Sequence, residues 1–146
     1  MPDQPSSDPL DLALEREFHF QAFRPGQREA IGHVLAGRDV LLVMPTGAGK
    51  SLCYQLPALL TPGVTLVVSP LIALMKDQSD GLRRCGYTAA ALHSNMTLPE
   101  LRDAERQAAA GAVRLLFVAP ERLVTPRFLD LLDQLNIRAW AEGMTG

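Results

Sequence analysis

The chain has 146 residues, 47% hydrophobic and 21% charged, with a formal net charge of −2 at pH 7. That length suits one domain or part of one, and that apolar fraction supports a packed core and excludes a disordered chain. The near-neutral balance gives no whole-chain signal for nucleic-acid binding, though a local basic patch stays open; no apolar run approaches membrane-spanning length, and the start lacks a secretory signal pattern.

Met1–Pro9 carries three prolines, two serines and two aspartates and reads as a mobile tail. Asp8 and Pro9 suit the N-cap and first position of a short amphipathic helix through Phe18. The stretch from Phe18 to Gln27 then breaks the pattern with three aromatics, an arginine and a glutamine around Pro25-Gly26. Such residues could stack on and read the edge of a planar base. They equally fit core staples at Phe18 and Phe23 with solvated Arg24 and Gln27, and spacing alone does not choose. His19 has no matched partner and reads as a surface residue.

Pro25 opens the next helix, with Ile31, Val34 and Leu35 on one face and Gly37 past its end. Val40–Met44 is a buried strand. It runs into Met44-Pro45-Thr46-Gly47-Ala48-Gly49-Lys50-Ser51, and a helix follows to about Leu56, where Pro57 should end or kink it. A phosphate chain needs backbone N–H groups converging on one hollow, which glycines permit, and a helix N-terminus that favours negative charge. It also needs a cation and a metal-facing hydroxyl, here Lys50 and Ser51. The pattern G-x-x-x-x-G-K-[ST] lacks its first glycine, since Met44 stands there. A plain glycine turn with a solvated lysine is the blander reading, and it leaves Lys-Ser at a helix start unexplained.

Three more strands alternate with helices: Val64–Ser69, Thr88–Leu92 and Leu115–Val118. The helices run Leu71–Arg84, from a Thr97/Glu100 capping box to Gly111, and Arg127 to about Leu135 behind Thr125-Pro126. The strands are apolar throughout, as in sheets covered on both faces. This is the α/β pattern of a parallel sheet with flanking helices. Ligands of such sheets lie beyond the carboxyl ends of the strands. Ser69-Pro70, His93-Ser94-Asn95 and Pro120-Glu121-Arg122 fall there with the phosphate loop. Each cluster alone is ordinary turn chemistry; four on one edge suggest a shared surface. Cys53 and Cys85 have no metal spacing and read as reduced packing residues of a cytosolic protein.

Four segments together resemble the successive motifs of RecQ-type DNA helicases: Phe23–Gln27, Met44–Leu59, Val68–Gln78 and Val118–Leu123. The resemblance spans about Leu12 to Leu135. A methionine commonly stands at the Met44 position in that family. The resemblance implies a RecA-like P-loop NTPase domain, partial over residues 10–137, and an ATP-dependent 3′-to-5′ DNA helicase acting in DNA repair and recombination. It implies that Arg24 and Gln27 read adenine and Phe20 stacks on it, with His19 replacing a frequent glycine. Thr46, Gly47, Ala48, Gly49 and Lys50 would hold the phosphates of ATP, and Ser51 would hold Mg²⁺. Ser69, Pro70, Lys76, Gln78, His93, Ser94, Asn95, Pro120, Glu121 and Arg122 would follow single-stranded or partly duplex DNA, by contacts that are sequence-blind and salt-sensitive.

One departure matters. Relatives hold Mg²⁺ and the attacking water with an Asp-Glu-Ala-His strand end, and these 146 residues contain no Asp-Glu dipeptide. Residues 138–146 therefore read as a divergent end, with the domain truncated before that strand and one interior strand lost. The edge left behind should be apolar and aggregation-prone, and the isolated chain should not turn over ATP. A binding-only ATP or DNA module is the alternative. A small P-loop kinase fits less well, because the Phe23–Gln27 cluster precedes the phosphate loop and no arginine-rich lid is present.

Overall fold

The structure, a computed structural model, describes residues 8–37, 51–84, 86–135 and 137–142. The expected strand Val40–Met44, the phosphate loop through Lys50 and Cys85 lie outside the described residues. Two units divide the chain, Met1–Pro57 and Ala58–Gly146.

In the first unit, α1 (Pro9–Phe18) starts as the sequence dictates. The Asp8 carboxylate accepts the Leu10 N–H at 2.8 Å, and Pro9 takes a position whose N–H needs no partner. The helix ends at His19, whose φ of 61° is left-handed and whose N–H reaches Glu15 O at 2.9 Å. A glycine suits such a cap, because any Cβ is crowded there. Helix α2 (Gln27–Leu35) begins two residues later than expected. Pro25 and Gly26 form the turn before it, and Gly26 carries φ 86°.

Helix α3 (Leu52–Leu60) runs through Pro57, so of the end or kink expected there the end does not occur. The ring removes one backbone donor. Leu56 and Ala58 on either side are fully buried, and their burial outweighs one lost hydrogen bond in so short a helix.

The second unit is a parallel sheet with flanking helices. Strands β1 (Val64–Val68), β2 (Ala89–Leu92), β3 (Leu115–Val118) and β4 (Ile137–Glu142) lie in the order β2-β3-β1-β4. Leu66 faces Leu116, and Leu116 faces Ala90, so the apolar side chains of the three strands stack in rows. Val64, Leu66, Ala90, Leu92, Leu116 and Val118 share one core. It is closed by Leu101, Ala104 and Ala108 of α5 (Leu98–Ala109) and by Phe128 and Leu131 of α7 (Pro126–Leu132). Thr65, Val67, Leu115 and Phe117, which alternate with that row, are buried too. Helix α4 (Ile72–Arg84) packs on β2 and β3, burying Met75, Ser79 and Leu82 at helical spacing.

Both N-caps read from the sequence for this unit are present. Thr97 and Glu100 exchange the reciprocal bonds of a capping box, and Thr125 accepts the Phe128 N–H at 3.2 Å. The C-terminal stretch is a correction. Residues 138–142, expected as a divergent end beside a lost strand, belong to β4, which pairs in parallel with β1 from Val64↔Ile137 to Val68↔Glu142. Strand pairing is made by backbone N–H and C=O groups. It therefore survives a change of side chains, and β1 has a partner on each side.

Candidate nucleotide and nucleic-acid site

In the first unit the loop from His19 to Gly26 holds the expected base-reading residues. Phe20 is exposed at 55% of its surface, as a stacking platform must be. Arg24 is exposed and Gln27 is buried. The Gln27 Oε1 accepts the Arg24 N–H at 2.7 Å, which fixes the amide's orientation and ties the start of α2 to the loop. The blander reading of a solvated Gln27 is thereby overturned. Phe23 is half-buried, and the Arg28 guanidinium lies 5.7 Å from its ring centroid.

Thr46, Gly47, Ala48, Gly49 and Lys50 lie outside the described residues. Ser51 stands directly before α3, and its carbonyl accepts the N–H groups of Tyr54 and Gln55 at 3.2 and 2.9 Å. Ser51 is thus at a helix start, where a metal-facing hydroxyl was expected. Among the described residues, no group of three or more His, Cys, Asp or Glu could hold a metal ion.

In the second unit the carboxyl ends of three parallel strands bring the other predicted residues to one edge. After β1, Ser69 is buried and its Oγ accepts the Leu71 N–H at 3.2 Å, while Pro70 is exposed. The Ser69 hydroxyl therefore shapes the turn. On α4, Lys76 is exposed and Gln78 half-buried. After β2, the half-buried His93 accepts the Asn95 N–H through Nδ1 at 3.2 Å, with Ser94 and Asn95 exposed. After β3, Pro120, Glu121 and Arg122 form a short helix, α6 (Pro120–Leu123), that the sequence had not suggested. Pro120 and Glu121 are exposed. The Arg122 Nε is buried with no hydrogen-bond partner among the described residues.

These tips act on one another. Burial pushes the His93 imidazole below its ordinary value, Glu100 and Glu121 oppose that shift, and Lys76 reinforces it. Lys76, His93, Glu100 and Glu121 thus share one electrostatic neighbourhood although they come from four segments. Glu100 was read only as a capping residue. The Thr97 hydroxyl and N–H hold its carboxyl below the usual range; its nearness to His93 needs the β2–α5 turn to be seen.

A covered parallel sheet with flanking helices and polar residues gathered at its carboxyl edge defines an α/β protein with the RecA-like fold. Residues 24–137 match the DEAD/DEAH box helicase family, and the chain belongs to that family. It is 48% identical over 124 residues to the ATP-dependent DNA helicase RecQ of Haemophilus influenzae, covering 85% of this chain and 20% of that protein. It is 53% identical over 133 residues to the human ATP-dependent DNA helicase Q4, covering 88% and 11%. The chain thus spans a fifth or less of these two relatives. Solved helicases share the fold. The DNA-bound helicase MrfA superposes with a TM-score of 0.64 at 22% identity, over 84% of this chain and 18% of that one. A hypothetical ATP-dependent RNA helicase from Sulfolobus tokodaii gives 0.65 at 19%, over 93% and 49%. None of the described helices is long and apolar enough to cross a membrane.

Proposed function

We propose that this chain is the ATP-holding and strand-contacting part of a RecQ-like, 3′-to-5′ DNA helicase motor. The observation that carries the reading is the gathering of Lys76, His93 and Glu121 from three separate segments at one sheet edge. A surface built that way suits an extended polyanion better than a compact ligand. Lys76 supplies charge to a phosphate, and the buried, unpaired Arg122 Nε supplies a donor that lacks an acceptor. Asn95 and Ser94 add neutral contacts, and Pro70, Gln78 and Pro120 line the path. Ser69 keeps the first turn in shape.

ATP is assigned to the other segment. Phe20 stacks on adenine, Arg24 and Gln27 read its edge, and residues 46–51 wrap the phosphates, with Lys50 as the cation. Mg²⁺ would supply charge neutralisation on the phosphates, and Ser51 would be its hydroxyl ligand. In-line transfer to water also needs a carboxylate on the metal and a group placing the water. Without an Asp-Glu pair, the 146 residues are assigned binding without turnover.

The test is binding of a fluorescent ATP analogue to the chain and to Lys50→Ala. At least a tenfold loss, roughly 1.4 kcal/mol, is expected, and equal affinity would remove the phosphate-loop assignment. In the same preparation single-stranded DNA should produce no ATP hydrolysis; robust turnover would refute the binding-only assignment.

A further inference from the structure

Arg28 ties its own helix to two other pieces of the described first unit, the start of α1 and the loop between the helices. It is the second residue of α2. Its guanidinium pairs with Asp8, the N-cap of α1, and donates to Asp11 Oδ1 in the first turn of the same helix at 2.5 Å. It also lies over the Phe23 ring, inside the loop that joins the two helices. A planar fork with several donors can serve two carboxylates and one aromatic face together; a lysine cannot. The Arg24 N–H bond to Gln27 pins the far end of the same loop.

We propose that Arg28 is a positioning residue that holds the 19–27 loop in the one shape able to read the nucleotide base. This rests on the nucleotide assignment made above. The cluster is too open to be a stability device: about two-fifths of the Arg28 and Asp8 side chains are exposed, at 41% and 42%, and ion pairs of that kind contribute little. Its effect is on populations. The loop contains a left-handed His19 and a left-handed Gly26, and such a segment has competing conformers unless something outside it selects one. If losing the brace drops the competent fraction from near one to about a tenth, apparent affinity for the base falls about tenfold. The phosphate half of the ligand, held elsewhere, is untouched.

That difference is the experiment. ATP and inorganic tripolyphosphate are titrated separately into the full chain, Arg28→Ala and Asp11→Asn, with far-UV circular dichroism recorded on each. Arg28→Ala should weaken ATP about tenfold and leave tripolyphosphate within about twofold. Asp11→Asn keeps the Phe23 contact and should show the same ATP-only loss at smaller size. Unchanged ATP affinity in both variants, or parallel loss of both ligands, overturns the proposal. Lys50→Ala reports on the underlying assignment: it should weaken both ligands. If it binds both as the unchanged chain does, the nucleotide reading itself falls and this proposal with it.

Discussion

His93 shows how one residue's surroundings set what it can do. An imidazole titrates at about 6.5 when free. Burial in the β2–α5 turn lowers that value, against the pull of Glu100 and Glu121. The sign follows. A depressed folded value means that the fold prefers the neutral ring, so the contribution to stability is fully present above about 6.5. It is lost as pH falls through the lower folded value. A proton titration of the His93 ring by NMR should place its midpoint below 6.5, with stability declining on the acid side of about 6.5; a midpoint above that refutes the burial argument. The functional consequence is local. At neutral pH the His93 ring is an uncharged hydrogen-bonding group, so in the function proposed above positive charge at this edge would come from Lys76 and Arg122. Asn95, whose N–H the ring accepts, is oriented by the neutral form.

At the scale of single elements, the chain's helix ends are written in its sequence and one of them is written badly. Asp8, Thr97 and Thr125 are N-caps that the residue types announced. The C-terminus of α1 is different. His19 sits at φ 61° and ψ 26°, a conformation that costs a residue with a Cβ about 1 kcal/mol. His19→Gly should therefore raise the stability of this segment by roughly 0.5–1 kcal/mol, offset partly by the greater freedom of an unfolded glycine. Urea unfolding, with the midpoint rising and the slope unchanged, is the check; a fall in midpoint would mean that the imidazole makes a contact worth more than the strain. Helix α3 gives the opposite lesson. Pro57 is a strong local stop signal, yet the helix continues to Leu60 because Leu56 and Ala58 are packed away from water. Local propensity is worth about 3 kcal/mol at a proline, and burial of neighbouring apolar groups competes at that size.

For the molecule as a whole the decisive pairing is β1 with β4. The sequence suggested that an interior strand was missing and that an apolar edge would be left open. Instead β4 runs the length of β1 in parallel. Deleting residues 137–146 should then uncover the backbone edge of β1. The shortened chain should bind a hydrophobic dye and aggregate, while the full chain shows less of both. Equal dye binding by the two would mean that β4 adds nothing to the sheet. The pairing also separates two properties that the missing Asp-Glu pair had joined: the sheet position is kept by backbone, and catalysis depends on side chains.

The sequence by itself determined the class of fold, the order and ends of most elements, the phosphate-loop motif and the clusters after three strands. All of these rest on local chemistry: period, caps, turns and motif spacing. Tertiary structure alone decided three other matters. Arg28 meets Asp11 across 17 positions and Phe23 beside it. Gln27 turns inward to hold Arg24. β4 joins β1 although 69 positions separate the end of β1 at Val68 from the start of β4 at Ile137. The Arg28–Asp11 and β1–β4 pairings join groups that no helix- or strand-long window of sequence contains together, and Gln27, though only three residues from Arg24, is turned inward by the burial of its side chain.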